Sequence, residues 1–178
     1  MKLSELRPSL LFLGKFIGFY LVVSFLYGWW VTSYAPHPDP ATQLAARQSA
    51  AILRAVGYAV TTTPHVTRPA ERVLLDNHSI LAVYEGCNGI NVWIIFAGFM
   101  LALGKPGWRL AWFVLAGSAI IYVLNLGRIL ALFFVSLKYP EALYFVHKYL
   151  FTAMLYGAVF VMWYFWISYY GRRKATVG

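Results

Sequence analysis

Three side chains stand out by their type and their place. Cys87, the chain's one cysteine, sits in Glu85-Gly86-Cys87-Asn88-Gly89 at the head of an apolar run. Arg128 closes Asn125-Leu126-Gly127-Arg128 inside a second run, and His147 precedes a third. Thiolate is the reactive form of cysteine, and a helix N-terminus or a nearby cation lowers its pKa. Imidazole can relay a proton between a thiol and a leaving amine. A guanidinium can hold an oxyanion or a substrate carbonyl through fixed donors. Together the three suit acyl transfer at a peptide bond, with Gly86 and Gly89 leaving room for a substrate backbone. A lone cysteine forms neither an internal disulfide nor a Cys-x-x-Cys pair, which excludes a self-contained disulfide oxidoreductase.

Composition dictates the elements that must position these residues. The 178-residue chain is 61% hydrophobic, 19% aromatic and 12% charged, with a mean hydropathy of +0.63. Soluble domains are about 25% charged, so this chain has too few ionic groups to coat a water-soluble globule. Its net charge of +9 invites a nucleic-acid reading, yet the cations flank apolar runs instead of forming one stripe. No nucleic-acid partner is expected. The sequence predicts an all-α polytopic membrane protein, partnered by the lipid bilayer and too short for a large extramembrane enzyme domain.

Crossing about 30 Å of hydrocarbon takes about 20 apolar residues. Residues 16–34, 88–104, 110–126 and 149–170 are read as about four transmembrane helices, the third pattern continuing to Leu137. At the helical rise, Cys87 lies about 27 Å from Lys105, and Arg128 about 28 Å from Arg109. His147 opens the last span, so all three candidates fall in one interfacial plane.

Lys2, Arg7, Lys15, Lys105, Arg109, Arg172, Arg173 and Lys174, against Glu5 alone, mark one side of the membrane. The positive-inside rule makes that side cytoplasmic, with both termini. The first apolar stretch exceeds a signal-peptide core and is read as a retained anchor. Three divisions follow: 1–34 as N-terminus and first span, 35–86 as an extracytoplasmic segment, and 87–178 as a three-span core with a basic tail. In the middle division Pro36, Pro38 and Pro40 lead the chain out of the membrane. Leu44, Ala51, Ile52, Ala55 and Val56 then follow helical spacing opposite Arg47 and Arg54, and Gly57 suits the helix end. Residues 73–75 and 80–84 flank Asp76-Asn77-His78-Ser79 as a short hairpin. The expectation is a small helix-plus-hairpin segment on the outer membrane face.

Each candidate also has a structural reading. Cys87 suits a small apolar position, Arg128 can snorkel or pair with Glu85 or Glu141, and His147 beside Lys148 suits an interface. Glu85 reads either as a cap of the second span or as an anchor for Arg128. His37, His65 and His78 are dispersed without metal-ligand spacing, so neither metal nor cofactor is expected.

Glu-Gly-Cys-Asn-Gly heading one span, Asn-x-x-Arg in the next and a His before the last resemble the exosortase/archaeosortase family. The likeness is to its short, Bacteroidota-type members and covers Val83 to Tyr170. It implies a membrane-embedded cysteine transpeptidase of the bacterial inner membrane, its site facing the periplasm. The partners it implies are exported proteins with a C-terminal sorting signal: a motif, one transmembrane helix and a basic tail. Carried over by position, Cys87 becomes the thioester-forming nucleophile, Arg128 the oxyanion or substrate holder and His147 the general acid/base. Asn125 supports Arg128, while Glu85, Gly86, Asn88 and Gly89 shape the loop. The acceptor nucleophile is left unknown. Two other readings fit the same residues: a cysteine protease in which water takes the acyl group, and a non-enzymatic scaffold for surface-protein assembly. A substrate helix would dock among the spans at Gly98, Ala102, Ala116, Gly117, Ala153 and Gly157, unless these small residues pack the protein's own helices.

Overall fold

The computed structural model describes residues 3–103 and 107–175, with side chains at 6–103 and 107–169. Lys2, Glu5, Lys105, Arg172, Arg173 and Lys174 of the charge count lie outside the described side chains. Helix α1 (Leu3–Thr32) is followed by α2 (Pro40–Ala55) and strands β1 (Val60–Pro64), β2 (Ala70–Leu75) and β3 (His78–Tyr84). A 3-10 turn, Glu85–Cys87, leads to α3 (Ile90–Leu103) and then α4 (Trp108–Lys138). After a 3-10 turn at Pro140–Ala142 come the single turn α5 (Leu143–Phe145), a π-helical turn Val146–Leu150, and α6 (Phe151–Ala175).

Three segments are long and apolar enough to cross a membrane: Leu6–Thr32, Trp108–Lys138 and Pro140–Tyr169. The chain is a multi-pass membrane protein. Helix α3 is equally apolar, but its 14 residues span only about 21 Å at 1.5 Å per residue. It is therefore shorter than the span expected at 88–104. Helix α4 is longer than expected, its 31 residues reaching about 46 Å, well beyond about 30 Å of hydrocarbon.

That surplus length joins two cores. At one level Phe96 and Met100 of α3, Ile121 of α4, and Leu155, Val159 and Trp166 of α6 pack together. At the other, Ile129 and Phe133 of α4 meet Ala45, Ala46, Ala50 and Leu53 of α2 and Val60, Val73 and Val83 of the sheet. Cys87 belongs to this second core. Helix α1 lies alongside α3, with Phe12 and Phe16 edge-on to Phe99 at 5.3 and 6.2 Å between centroids.

The segment between α1 and α3 departs from the expected helix and hairpin. Three antiparallel strands form a sheet in the order β1-β2-β3. The strand missed is Val60-Thr61-Thr62-Thr63-Pro64, a β-branched run that favours an extended backbone. The expected turn is present and tight: Asp76 and Asn77 adopt φ 48° and 66°, the pair of positive angles a two-residue hairpin turn needs. Helix α2 starts where Asp39 Oδ1 accepts from the backbone N–H groups of Ala41 and Thr42, an N-cap with proline just inside. It ends at Gly57, φ 95°. There the N–H of Tyr58 donates to Leu53 and that of Gly57 to Arg54, a Schellman closure.

The buried face of α2 also differs from the one its larger apolar residues indicated. Thr42, Ala45, Ala46, Ser49, Ala50 and Leu53 are buried, whereas Leu44, Ala51, Ile52, Ala55 and Val56 are exposed. Small side chains let α2 fit closely between α4 and the sheet. The larger ones, Leu44, Ile52 and Val56, face away from that core.

Two of the small residues weighed for a substrate helix are used internally. A Cβ at Gly98 would lie 2.7 Å from Phe19 Cδ1, and one at Gly117 would lie 2.3 Å from Phe96 Cζ. Ala116, Ala153 and Gly157 are exposed and Ala102 is half-buried. Gly117→Ala is therefore expected to force the fully buried Phe96 aside and to lower thermal stability in detergent by about 1–3 kcal/mol. Gly157→Ala, with nothing within 4 Å of its new methyl, is expected to leave the melting temperature at or above wild type. Circular dichroism melts of the two variants check the contrast.

Candidate active site

The site forms where three elements meet. Cys87 ends the 3-10 turn that follows β3, Arg128 lies on α4, and His147 lies on the π-helical turn before α6. His147 Nε2 is 3.3 Å from Cys87 Sγ and 3.1 Å from Arg128 Nη2. Arg128 Nη2 is 4.0 Å from the same sulfur. Positions 41 and 60 residues from Cys87 thus converge on one thiol. Cys87 and Arg128 are only 4% and 6% exposed, while His147 is half-buried and stands at the open side.

The hydrogen-bonding roles follow from the donors present. A guanidinium has N–H donors and no acceptor, so its contact with Nε2 assigns a lone pair to that nitrogen and the proton to Nδ1. This is the tautomer able to take the thiol proton. Among the described residues no carboxylate pairs with Arg128, and its buried Nε has no partner. Glu85, considered as its anchor, is exposed on the 3-10 turn.

Cys87 does not sit at the N-terminus of α3 as expected. Helix α3 starts three residues later, at Ile90, whose N–H is taken by Asn88 Oδ1. Burial pushes the Cys87 thiol up from its ordinary value, against the opposing pull of Arg128. The cation, not a helix end, is what favours the thiolate here.

The supporting residues divide into those that hold the turn and those that stand apart from it. Asn125, 1% exposed, donates through Nδ2 to the Cys87 carbonyl at 2.8 Å. It thus braces the Cys87 backbone one helical turn before Arg128. Gly89 has φ 81° and lies against Asn125, where a Cβ would be 3.1 Å from Asn125 Cγ. Its lack of a side chain serves packing against Asn125 and the left-handed backbone conformation. Gly86 is exposed, with the Tyr84 ring over it. Asn88 faces away from the sulfur, donating to Tyr27 Oη of α1 at 2.6 Å and to Thr42 Oγ1 of α2 at 3.3 Å. Thr42 Oγ1 in turn donates to Asp39 Oδ2 at 2.6 Å. Asp39, Thr42 and Tyr27 carry no motif in sequence; only the fold ties them to the turn bearing Cys87. Tyr84 was likewise missed. Its hydroxyl lies 3.4 Å from His147 Nε2, and position 84 reads in sequence only as the end of an apolar strand.

Beside the site, a mostly apolar cavity of about 240 Å³ is lined by Asn88, Gly89, Ile90, Trp93, Ser118 and Tyr122, with Ile121. Residues 7–169 match the family described as Transmembrane exosortase (EpsH). The chain belongs to that family. No curated protein and no solved structure is significantly similar to this exosortase.

Two outcomes follow from the geometry. In Arg128→Gln the thiol loses the cation that opposes burial, so its pKa rises further. The thiolate fraction near neutral pH, and with it the alkylation rate of this lone cysteine, falls about tenfold or more, since an opposite charge shifts a neighbour by about 1–3 pKa units. Iodoacetamide kinetics against pH read this directly, the profile moving to higher pH. In Gly89→Ala, the strained φ and the clash with Asn125 detach the Cys87 carbonyl from its donor. Loss of substrate processing at undiminished membrane levels is the expected result.

Proposed function

We propose that this exosortase is a cysteine transpeptidase. It would cleave the C-terminal sorting signal of exported proteins through a thioester on Cys87. The observation that carries the reading is the 3.3 Å approach of Cys87 Sγ to an imidazole nitrogen that bears its lone pair on the thiol side, beside a buried guanidinium.

The steps balance on these residues. Nε2 of His147 takes the thiol proton, and the thiolate adds to the scissile carbonyl carbon. The oxygen becomes an oxyanion, held by the donors of Arg128. Collapse breaks the C–N bond, and His147 returns its proton to the leaving amine. An acceptor nucleophile, deprotonated by the same imidazole, attacks the thioester and restores the thiol. Hydrolysis follows if water reaches the thioester first, and the chemical nature of the product's new C-terminus separates the two.

Topology fits a signal with its own transmembrane helix. In this reading α3 completes a fourth crossing, both termini are cytoplasmic, and the site opens to the periplasm of a bacterial inner membrane. The apolar cavity extends along α4 to Ser118, ten residues or about 15 Å toward the opposite face from Arg128. It offers the substrate's apolar helix a place directly beside the Asn88–Gly89 turn.

Co-expression of an exported protein bearing such a signal with each variant tests the reading. Cys87→Ala and His147→Ala are expected to abolish processing. Arg128→Lys is expected to lower it at least tenfold, because the charge remains but the fork of fixed donors is lost. Full processing by Cys87→Ala would end the cysteine mechanism and favour the scaffold reading.

A further inference from the structure

His147 Nε2 has three neighbours, and the proposed mechanism uses only two. Arg128 Nη2 lies at 3.1 Å, Cys87 Sγ at 3.3 Å and Tyr84 Oη at 3.4 Å. The Tyr84 hydroxyl and the Cys87 thiol thus flank the same imidazole nitrogen. Its ring lies over the turn that carries the nucleophile. A Cβ at Gly86 would be 3.2 Å from Tyr84 Cε2, and the Tyr84 and His147 rings are 6.0 Å apart. Arg128 approaches from the interior at 6% exposure, whereas Tyr84, at 44%, approaches from the open side.

We propose that Tyr84 is a further catalytic residue, whose phenol O–H donates a hydrogen bond to the Cys87 sulfur once the thiol proton has moved to His147. Neutral Nε2 offers a single lone pair, and protonation removes it. Arg128 and Tyr84 lose that acceptor at the moment the sulfur becomes an anion beside them. Both donors then turn to the thiolate, the guanidinium from within and the phenol from the mouth. The phenol keeps its own proton throughout. Partial burial and the neighbouring Cys87 push its pKa up, against the pull of Arg128, so it remains a donor across the neutral range. The other ionisable groups around the sulfur are Arg128 of α4, His147 of the π-helical turn and the exposed Glu85 of its own turn.

The proposal rests on Cys87 being the nucleophile, and Tyr84→Phe tests it because the ring stays over Gly86 while the hydroxyl goes. Cys87 is the chain's one cysteine, so iodoacetamide alkylation of the full-length protein in detergent reports this site without any substrate. Tyr84→Phe is expected to move the alkylation midpoint up by about half to one pH unit, the scale of one hydrogen bond. Processing is expected to fall about three- to tenfold. A profile that coincides with wild type, or moves to lower pH, overturns the assignment and leaves the ring a purely structural role. Cys87→Ala separates the two levels. If it is inactive and Tyr84→Phe matches wild type, only the tyrosine role falls; if it still processes substrate, the whole mechanism falls.

Discussion

A guanidinium held almost out of solvent sets the conditions for everything around it. The Arg128 side chain is a charged fork of donors, 6% exposed. Burying a cation is costly unless something answers its charge. Among the described residues no carboxylate does so, and Nε lacks even a neutral partner. Its neighbours are a thiol and a neutral imidazole, a pair that becomes anionic at sulfur when one proton moves. The ground state thus leaves the cation incompletely matched, and proton transfer or an oxyanion would complete the match. For the proposed nucleophile, which has to ionise despite burial, that arrangement supplies the opposing charge.

Holding that cation in register requires the length of α4. The helix runs on from Arg128 to Lys138, and its far end is gripped by α2 and the sheet through Ile129 and Phe133. Asn125, one turn before Arg128, fastens the Cys87 carbonyl to the same helix. Asn88, on the other side of the cysteine, fastens the turn to α1 and α2. The turn bearing Cys87 is therefore pinned on both sides by buried polar side chains, and Cys87 is itself part of the core. Only His147 is borne by a π-helical turn that packs less tightly. It is also the group that the proposed mechanism has receive a proton and give it away.

How much of this was legible in the sequence depended on whether the information was local. Counting helical rise put Cys87, Arg128 and His147 at one depth, which is a single coordinate. That the three meet at 3.1–4.0 Å depends on how the elements pack, which no periodicity encodes. Apolar run length marked α1, α4 and the last span, and the prolines and Gly57 bracketed α2. At α2 close packing selected Ala45, Ala46 and Ala50 over Leu44 and Ile52, a choice that depends on what packs against the helix. The strand Val60–Pro64 was too short to show alternation. Tyr84, Tyr27 and Thr42 had no motif to reveal them, since their partners lie across the fold.

The central claim is that chemistry passes through the Cys87 sulfur, and reversible capping of that atom tests it most directly. Methyl methanethiosulfonate adds a small methylthio group to this lone cysteine, and dithiothreitol removes it. The account predicts that processing of a sorting-signal substrate by the purified protein falls in proportion to the capped fraction and returns on reduction. Undiminished cleavage by fully capped protein would contradict it.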